Sequence, residues 1–316
     1  MAQNTIGIDI GEDRVAYGLF DADGNIVTRR AHESDAQLTP EAFFDEIIKQ
    51  VRLLVEEGDL AMGEIQGIGI GMPSKIHFEK GFVNLTAGLP KIKDFAAAEY
   101  ISGKLEGMRV VLDNHGNTGA LAEHRLGAGQ SEKTMLFCTV GANISTGIII
   151  DNQLFRGAQG YAGTTGHMIV TPGEGMDCIC GNRGCLASYC AGSMIVKHVE
   201  SWIAQGEYTV MTEMAGSNRR ITAQHLSLAY ERGDELATKA IDQMALYLGI
   251  WLYNVYLSFN IDYIVLGGGL LRMGRKLTGR IRKVFDTYNH GSEPVRIVNA
   301  QHGDDRGIIG AMLLLM

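Results

Sequence analysis

The sequence lacks any excess of basic residues and any long apolar run, and these absences exclude several classes of protein. Its 316 residues include 28 Lys and Arg against 36 Asp and Glu, which gives a formal charge of −8 and an isoelectric point near 5.6. Such a chain has no global positive field for nucleic acid or an anionic membrane, and it shows no local basic patch. Its apolar stretches are shorter than the roughly 18 residues of a membrane span, and its first residues do not resemble a secretory signal. We therefore expect a cytoplasmic protein that binds neither nucleic acid nor membranes.

Cysteine is also scarce, and its distribution is unlike that of a disulfide framework. The chain has five cysteines, four of which lie between residues 178 and 190 while Cys138 stands alone. Secreted domains that depend on disulfides distribute their cysteines through the fold. The cluster instead indicates metal binding in a reducing compartment. Cys138 and Cys190 are expected to be small buried hydrophobic residues rather than ligands.

What the sequence does contain is typical of a globular protein with two lobes. Hydrophobic residues make up 46% of it and charged residues 20%, with a mean hydropathy of +0.02. At 34.3 kDa the chain exceeds the size at which one hydrophobic core keeps growing. Strands followed by a helix occur twice along the chain, which favours two α/β lobes of related design.

Apolar patterning and turn residues predict the main elements. A three-stranded meander is expected near the N-terminus, and apolar residues at helical spacing predict a helix over 40–57. One long helix, apolar on most faces and therefore buried, is predicted over 234–259, and a further helix over 271–285. The Gly-rich and Cys-rich region 157–193 shows little periodicity and is expected to be a loop.

The strongest local signal is a set of four metal-ligand residues within one loop. Soft or borderline donors at this spacing close a tetrahedral zinc site, and the predicted ligands are His167, Cys178, Cys180 and Cys185. Gly181 and Gly184 let the backbone turn so that the thiolates converge. Four protein ligands leave no open position for water, so the expected zinc is structural.

Six segments together resemble the ROK family of sugar kinases and repressors, and the resemblance covers nearly the whole chain. They are the cysteine loop itself and the segments IGIDIG, DNHGNTGALAEH, YAGTTGH, YIVLGGG and GIIGAMLL. The resemblance implies a two-lobed α/β fold that is actin-like or hexokinase-like, of the ribonuclease H-like type, with a structural zinc loop. It implies a small lobe over 1–117, joined by a C-terminal helix at 303–316, and a large lobe over 118–302 that contains the zinc loop 167–185.

The resemblance also carries expectations about ligands and assembly. It implies that a sugar or sugar derivative lies in a cleft with ATP beside it, and that the protein is a homodimer. The family's repressors have an extra N-terminal helix-turn-helix. We do not expect one here, because the first strand begins by Thr5.

The positions at which the family binds nucleotide are only partly kept. The resemblance assigns nucleotide contacts to Asp9, Gly11, Gly141, Gly267 and Gly268, with Mg-ATP expected only if phosphotransfer is retained. The family's first strand ends in Asp-x-Gly-Gly-Thr, whereas Glu12 and Asp13 fill the last two places here. Like charges ~4 Å apart at an effective dielectric near 20 repel by about 4 kcal/mol, which argues against ordinary ATP binding. Glu12 and Asp13 are alternatively plain turn residues, the interpretation that we favour.

The second phosphate loop and the catalytic position have changed as well. The family's Gly-Thr-Gly-x-Gly loop is Gly-Ala-Asn-Ile-Ser at 141–145. The family's general base is the Asp of an Asn-Asp-Ala-Asn stretch, and here the stretch is Asn-His-Gly-Asn with His115 at the base position. A neutral imidazole accepts a proton at neutral pH, so catalysis is not chemically forbidden. Asp113 is expected to cap the helix that follows.

Most of the family's sugar-binding residues are replaced. The resemblance leaves only Asn114 and His167 of that set, since an Asn and two Glu residues have become Gly88, Thr164 and Ala187. Each lost hydrogen-bond partner of a sugar hydroxyl costs roughly 1 to 3 kcal/mol. We therefore do not expect tight binding of an ordinary hexose in the family's pose.

Three hypotheses for the function follow from these residues. The first is a ROK-fold protein that has lost phosphotransfer and acts as a binding or regulatory protein. The second is an ATP-dependent kinase for an unusual sugar that uses His115 as its base, and the third is another class of enzyme with Asp113 and His115 as an acid/base pair. The loss of residues at several separate functional positions favours the first, and the fold alone does not separate them.

Overall fold

The computed structural model describes residues 4–86, 88–173, 175–216, 220–291 and 293–316. Its strands are β1 Asn4–Ile10, β2 Arg14–Phe20, β3 Ile26–Glu33, β4 Ile65–Met72, β5 Ser74–His77, β6 Phe82–Thr86, β7 Lys93–Phe95, β8 Arg109–Asn114, β9 Met135–Val140, β10 Ile144–Ile150, β11 Gln153–Leu154, β12 Tyr263–Gly267 and β13 Arg296–Asn299. Its α-helices are α1 Pro40–Glu57, α2 Ala97–Lys104, α3 His115–Leu126, α4 Ala187–Cys190, α5 Gly192–Ala204, α6 Met211–Met214, α7 Ala223–Glu231, α8 Glu235–Phe259, α9 Arg275–Tyr288 and α10 Arg306–Leu313.

The described residues form two compact units that differ from the predicted lobes. One unit comprises Met1–Lys133, Thr146–Gly163 and Ala300–Met316, within the described ranges, and the other comprises Thr134–Ser145 and Thr164–Asn299. Helix α3 and the segment 146–163 therefore group with the N-terminal strands and with α10. The boundary predicted at 117 instead falls inside α3.

The first unit is built on a five-stranded sheet with the order β3-β2-β1-β4-β8. The predicted meander forms its antiparallel half, while β4 pairs in parallel with both β1 and β8. Successive side chains of a strand point to opposite faces. On one face of β1, Ile6, Ile8 and Ile10 are fully buried in the core to which α1 contributes its apolar side chains. A smaller antiparallel sheet has the order β5-β6-β7.

Glycines on the other face of this sheet let α10 approach the strand backbone directly. A Cβ atom at Gly7 would lie 2.0 Å from the carbonyl oxygen of Ile308, and one at Gly69 would lie 1.7 Å from that of Ala311. Gly310 makes the same kind of approach to α3, where a Cβ would lie 2.0 Å from the carbonyl oxygen of Thr118. No larger side chain fits between these backbones, so small residues fix the position of α10.

A buried carboxylate ties the end of α3 to the segment that leads into α10. Glu123 has no exposed surface, and its oxygens accept backbone N–H groups from Ala128, Gln301 and His302, each at 3.0 Å. Backbone donors around a buried carboxylate compensate the loss of its hydration. The same side chain therefore closes α3 and holds the entry to α10.

In the second unit, β12 pairs in parallel with both β9 and β13. The predicted long helix is confirmed as α8, which Asp234 caps at its start and Asn260, with φ 52°, ends. The helix predicted over 271–285 is wrong in its first turn. Residues 269–273 form a 3-10 turn, and Gly274, with φ 60°, separates this turn from α9.

The region predicted as a loop over 157–193 holds more helix than expected. It ends in the short helix α4 and the first turn of α5. Between 157 and 186 the chain has a 3-10 turn, Thr165–His167, and isolated bridges, in agreement with the expectation. Among the described residues, no helix combines the length and the apolar character that crossing a bilayer requires.

The Glu123 network makes a direct prediction about stability. Replacing Glu123 by Gln keeps the shape but places an amide N–H2 against backbone donors, so we expect a loss of about 2 to 4 kcal/mol in the free energy of unfolding. Denaturant titration measures it. Glu99→Gln, on the exposed face of α2, is the control and should change stability by less than about 0.5 kcal/mol. Equal stability of the two variants would contradict this role of Glu123.

Candidate functional site

Asp9 and His115 lie side by side in the first unit, where β1 and β8 reach their carboxyl ends. Nε2 of His115 is 2.9 Å from Oδ1 of Asp9, and their side chains are 23% and 30% exposed. Nε2 is buried and makes no hydrogen bond of regular geometry with a described residue. The contact is therefore an ion pair when the imidazole is protonated, rather than an aligned hydrogen bond.

The environment of Asp9 holds this carboxyl in its charged form. Burial alone raises its pKa, but His115, Arg306 and Arg14 together lower it below its ordinary value. Gly307 allows the close packing, because a Cβ there would lie 2.1 Å from Oδ2 of Asp9. His115 and the two arginines thus stabilise the charged form of the Asp9 carboxyl.

The turn after β1 places the Glu12 side chain next to Gly88. Gly11 donates its N–H to the carbonyl of Arg14 at 2.8 Å, which closes a tight turn between β1 and β2. A Cβ atom at Gly88, where φ is 76°, would lie 2.2 Å from Cγ of Glu12. The Glu12 side chain therefore fills the space that a side chain at 88 would need. Glu12 is more than the plain turn residue that we favoured from the sequence.

The start of α3 corrects the expectation for Asp113. The helix is capped by Asn114, whose Oδ1 accepts the N–H of Asn117 at 2.9 Å. Asp113 is the penultimate residue of β8 and points into the interior. It accepts the N–H of Asn114 at 2.8 Å, Nδ2 of Asn117 at 2.7 Å and Nε of Arg156 at 2.8 Å.

Asp113 is engaged by these groups rather than by His115. Its side chain is 2% exposed. Burial raises its pKa, although the charge of Arg156 and the donated hydrogen bonds oppose that shift. Both of its oxygens already have partners, so this geometry does not support an acid/base pair of Asp113 and His115.

The glycines predicted to approach a nucleotide come together in the second unit. Gly267 ends β12 opposite Thr139 of β9, and a Cβ at Gly268 would lie 2.4 Å from the carbonyl oxygen of Val140. Gly141 follows β9, and its carbonyl accepts the N–H of Gly192 at 2.7 Å. The carboxyl ends of parallel strands are the usual place for ligands in α/β sheets. Asp9 and Gly11, the other two predicted nucleotide positions, belong to the first unit.

The four predicted metal ligands are also brought together in the second unit. The donor atoms of His167, Cys178, Cys180 and Cys185 all lie within 4.8 Å of one another. Nδ1 of His167 is 3.4 Å from Sγ of Cys178, and the sulfurs of Cys180 and Cys185 are 3.7 Å apart. Bonds of ~2.3 Å to a tetrahedral zinc place two sulfurs about 3.8 Å apart. The donor set thus fits such an ion in both chemistry and spacing.

Local backbone bonds shape this loop. Cys178 donates its N–H to the carbonyl of Asn182 at 2.8 Å, and Gly184 donates to that of Met176 at 2.7 Å. Burial and the neighbouring sulfurs raise the pKa of Cys185 to about 12. Hydrogen bonds to the sulfur of Cys180 lower the pKa of Cys180 although burial opposes that shift. Sulfurs this close resist ionising together unless a cation joins them. Cys138 and Cys190 are fully buried, as expected, and lie outside the cluster.

The five positions that correspond to the family's sugar contacts, two retained and three replaced, are divided between the units. Asn114 and Gly88 belong to the first, whereas Thr164, His167 and Ala187 belong to the second. Because Nδ1 of His167 faces Cys178, a sugar contact of this ring would use Nε2.

Two features were not predicted from the sequence: the Arg156–Asp113 pair and the packing of Glu12 beside Gly88. The one arginine of the glycine-rich segment LFRGAQG was the available signal for the first.

Comparisons with known proteins agree with this architecture. The model of the ROK family matches residues 5–316. A glucokinase of Streptomyces coelicolor is 29% identical over 313 residues, which cover 97% of this chain and 96% of that protein. A xylose repressor of Caldicellulosiruptor bescii is 27% identical over 281 residues, covering 89% of this chain and 69% of the repressor. The crystal structure of a ROK family glucokinase from Streptomyces griseus in complex with glucose and AMPPNP has a TM-score of 0.85 at 29% identity and covers 98% of both chains.

The matches settle both the family and the fold. The segments that resembled ROK proteins belong to an alignment over nearly the whole chain, and the similar structures have the actin-like, hexokinase-like fold that the resemblance implied. This chain therefore belongs to the ROK family and is a sugar-kinase-like member of it.

Proposed function

We propose that this protein binds a sugar-class ligand and does not transfer phosphate from ATP. The observation that carries the proposal is the pairing of His115 with Asp9, 2.9 Å apart, at the position where the family has its catalytic carboxylate. A general base must reach the proton of the attacking hydroxyl. Here Nε2 of His115 is buried against Asp9 instead.

The surroundings of Asp9 argue against magnesium and phosphate at this position. Mg²⁺ requires carboxylate oxygens and tolerates little distortion of its octahedral geometry. The carboxylate of Asp9 is already balanced by His115, Arg306 and Arg14. Glu12 and Asp13 add negative charge in the following turn. Phosphoryl transfer depends almost entirely on positioning and charge stabilisation, so the loss of these contacts removes most of the catalysis.

The sugar side retains a smaller set of contacts. Asn114 is held at the start of α3 with its Oδ1 fixed by Asn117, and the Glu12 side chain occupies the space that a side chain at 88 would need. The relatives named above include a glucokinase and a structure with bound glucose, which supports a ligand of the sugar class. The replaced residues favour a ligand with a different pattern of hydroxyl or charged groups.

A second candidate is a kinase that uses His115 as its base. The contact between His115 and Asp9 favours this candidate, because a carboxylate beside an imidazole orients the ring to act as a base. This candidate requires Mg-ATP to bind productively, which the first candidate excludes. The two are therefore separated by nucleotide binding and turnover.

We also propose that the four-ligand cluster binds one structural zinc ion. Zinc supplies cross-linking there rather than catalysis, because four protein ligands leave no site for water or substrate. Ile169 pairs with Cys185 and Asp177 with Arg183 in isolated bridges, so little regular structure orders this loop otherwise.

Calorimetric titration tests the proposed function. We expect no saturable heat with Mg-ATP up to about 1 mM, and saturable binding of at least one member of a panel of hexoses, pentoses and their charged derivatives. Micromolar affinity for Mg-ATP would contradict the loss of phosphotransfer. No binding across the panel would contradict the sugar-binding half of the proposal.

Glu12 and Gly88 predict a coupled pair of substitutions. Gly88→Asn restores the family's residue but collides with Glu12, so alone it should destabilise the fold by about 1 to 3 kcal/mol without improving glucose binding. The double variant Glu12→Gly with Gly88→Asn should regain the part of that stability lost to the collision, while the cost of Asn at φ 76° remains, and it should bind glucose more tightly than the parent. Additive effects in denaturation and calorimetry would show that the two side chains do not compete for this space.

The metal proposal predicts about one zinc per chain in protein purified without added zinc. Cys180→Ser should lower the zinc content and the unfolding temperature together, because metal binding is coupled to folding of the loop. Cys138→Ser is the control outside the cluster and should retain zinc. Protein that holds no metal and unfolds at the same temperature with and without zinc would contradict the proposal.

A further inference from the structure

We infer that Arg156 is a positioning residue that clamps Asp113 and thereby orients Asn114 toward the ligand. The inference rests on the proposed function for its purpose, since it concerns the same end of α3. Arg156 is the side chain that sets the geometry at the start of α3.

Arg156 is held on two sides. Its Nε donates to Oδ2 of Asp113 at 2.8 Å, and its guanidinium carbon lies 3.6 Å from the centroid of the Phe78 ring. The side chain is only 25% exposed. A planar guanidinium stacked on an aromatic ring has little freedom to turn, so the direction of its N–H groups is fixed.

Asp113 connects Arg156 to the start of α3 through hydrogen bonds. Its Oδ1 accepts both the N–H of Asn114 and Nδ2 of Asn117, and the N–H of Asn117 in turn binds Oδ1 of Asn114. Because the oxygen of the Asn114 amide is used as an acceptor, its Nδ2 is the group left to face a ligand. The network thus assigns the amide orientation, and it presents a donor that suits an acceptor oxygen of a sugar.

The charge of Arg156 is essential to this arrangement. Burial raises the pKa of Asp113, and Arg156 is the charged group that opposes the shift. The other titratable groups on the elements that pack against β8 include exposed Lys75, Glu79 and Lys80, half-buried His77, and His115, which pairs with Asp9. Without Arg156 the pKa of the Asp113 carboxyl would rise further, and once protonated one acceptor of the network would become a donor.

The second unit offers a matched control. Arg280 donates its Nε to Oδ1 of Asp242 at 2.5 Å and lies over the ring of Tyr230, 5.4 Å from its centroid. This pair has the same chemistry as the Arg156 clamp but is largely exposed, with side chains 37% and 56% accessible. Arg280→Met therefore removes a similar contact far from α3 in sequence and in the other unit.

The experiment compares Arg156→Met, Arg156→Lys and Arg280→Met by NMR at fixed pH, without ligand. In Arg156→Met we expect the side-chain amide resonances of Asn114 to shift and hydrogen exchange at the N–H of Asn117 to accelerate by about 10-fold or more. Arg156→Lys keeps the charge but not the planar, stacked fork, so it should lie between the parent and Arg156→Met, and Arg280→Met should match the parent at both probes. If Arg156→Met moves these probes no more than Arg280→Met does, the inference is wrong.

The pH dependence of stability gives a second readout. A carboxyl whose pKa is raised in the folded state binds its proton more tightly there than when unfolded. The pKa of Asp113 is already raised in the parent, and removing the charge of Arg156 raises it further. Arg156→Met should therefore lose stability relative to the parent as pH rises above the unfolded value of about 3.9. Adding Asp113→Asn to Arg156→Met should abolish this slope of stability against pH. A slope that persists in the double variant would overturn the inference. Neither readout contains ligand, so a failed sugar titration would count against the proposed function alone.

Discussion

The close approach of α10 to the backbone of the central sheet is the constraint on which the site in the first unit depends. Gly7 and Gly69 admit the helix against β1 and β4, Gly310 admits it against α3, and Gly307 leaves room for the carboxyl of Asp9. A larger residue at Gly7, Gly69 or Gly310 would have to displace backbone, and one at Gly307 would have to displace the Asp9 side chain. Because β1 and α3 both pack on α10, Asp9 and His115 are held next to each other.

This proximity changes the chemistry that the fold supports. A kinase of this architecture needs its carboxylates directed toward magnesium, phosphate and the sugar hydroxyl. In this protein Asp9 lies beside His115 and near Arg14 and Arg306, Asp113 pairs with Arg156, and Glu12 occupies the space beside Gly88. Asp9 and Asp113 thus each have a basic partner within the same unit. This arrangement is the basis for our proposal that the protein keeps the fold of the family without its phosphotransfer.

The sequence predicted the features that arise from local patterns. The meander, the long helix α8 and the four metal ligands depend on periodicity or on spacing within one segment. The Arg156–Asp113 pair joins residues 43 positions apart, so no local pattern reveals it. The cap of α3 was assigned to Asp113 because both Asp and Asn favour that position. Only the strand register, which directs Asp113 inward, selects Asn114.

The proposed loss of phosphotransfer is tested most directly by a single-turnover assay with the protein in excess over radiolabelled Mg-ATP and a panel of sugars. Such an assay detects chemistry even when nucleotide binds weakly. We predict no sugar phosphate above the level formed without protein, and no difference between the parent and His115→Ala. Formation of a sugar phosphate that His115→Ala slows by about 100-fold or more, the usual contribution of a general base, would contradict it and establish the protein as a kinase with an imidazole base.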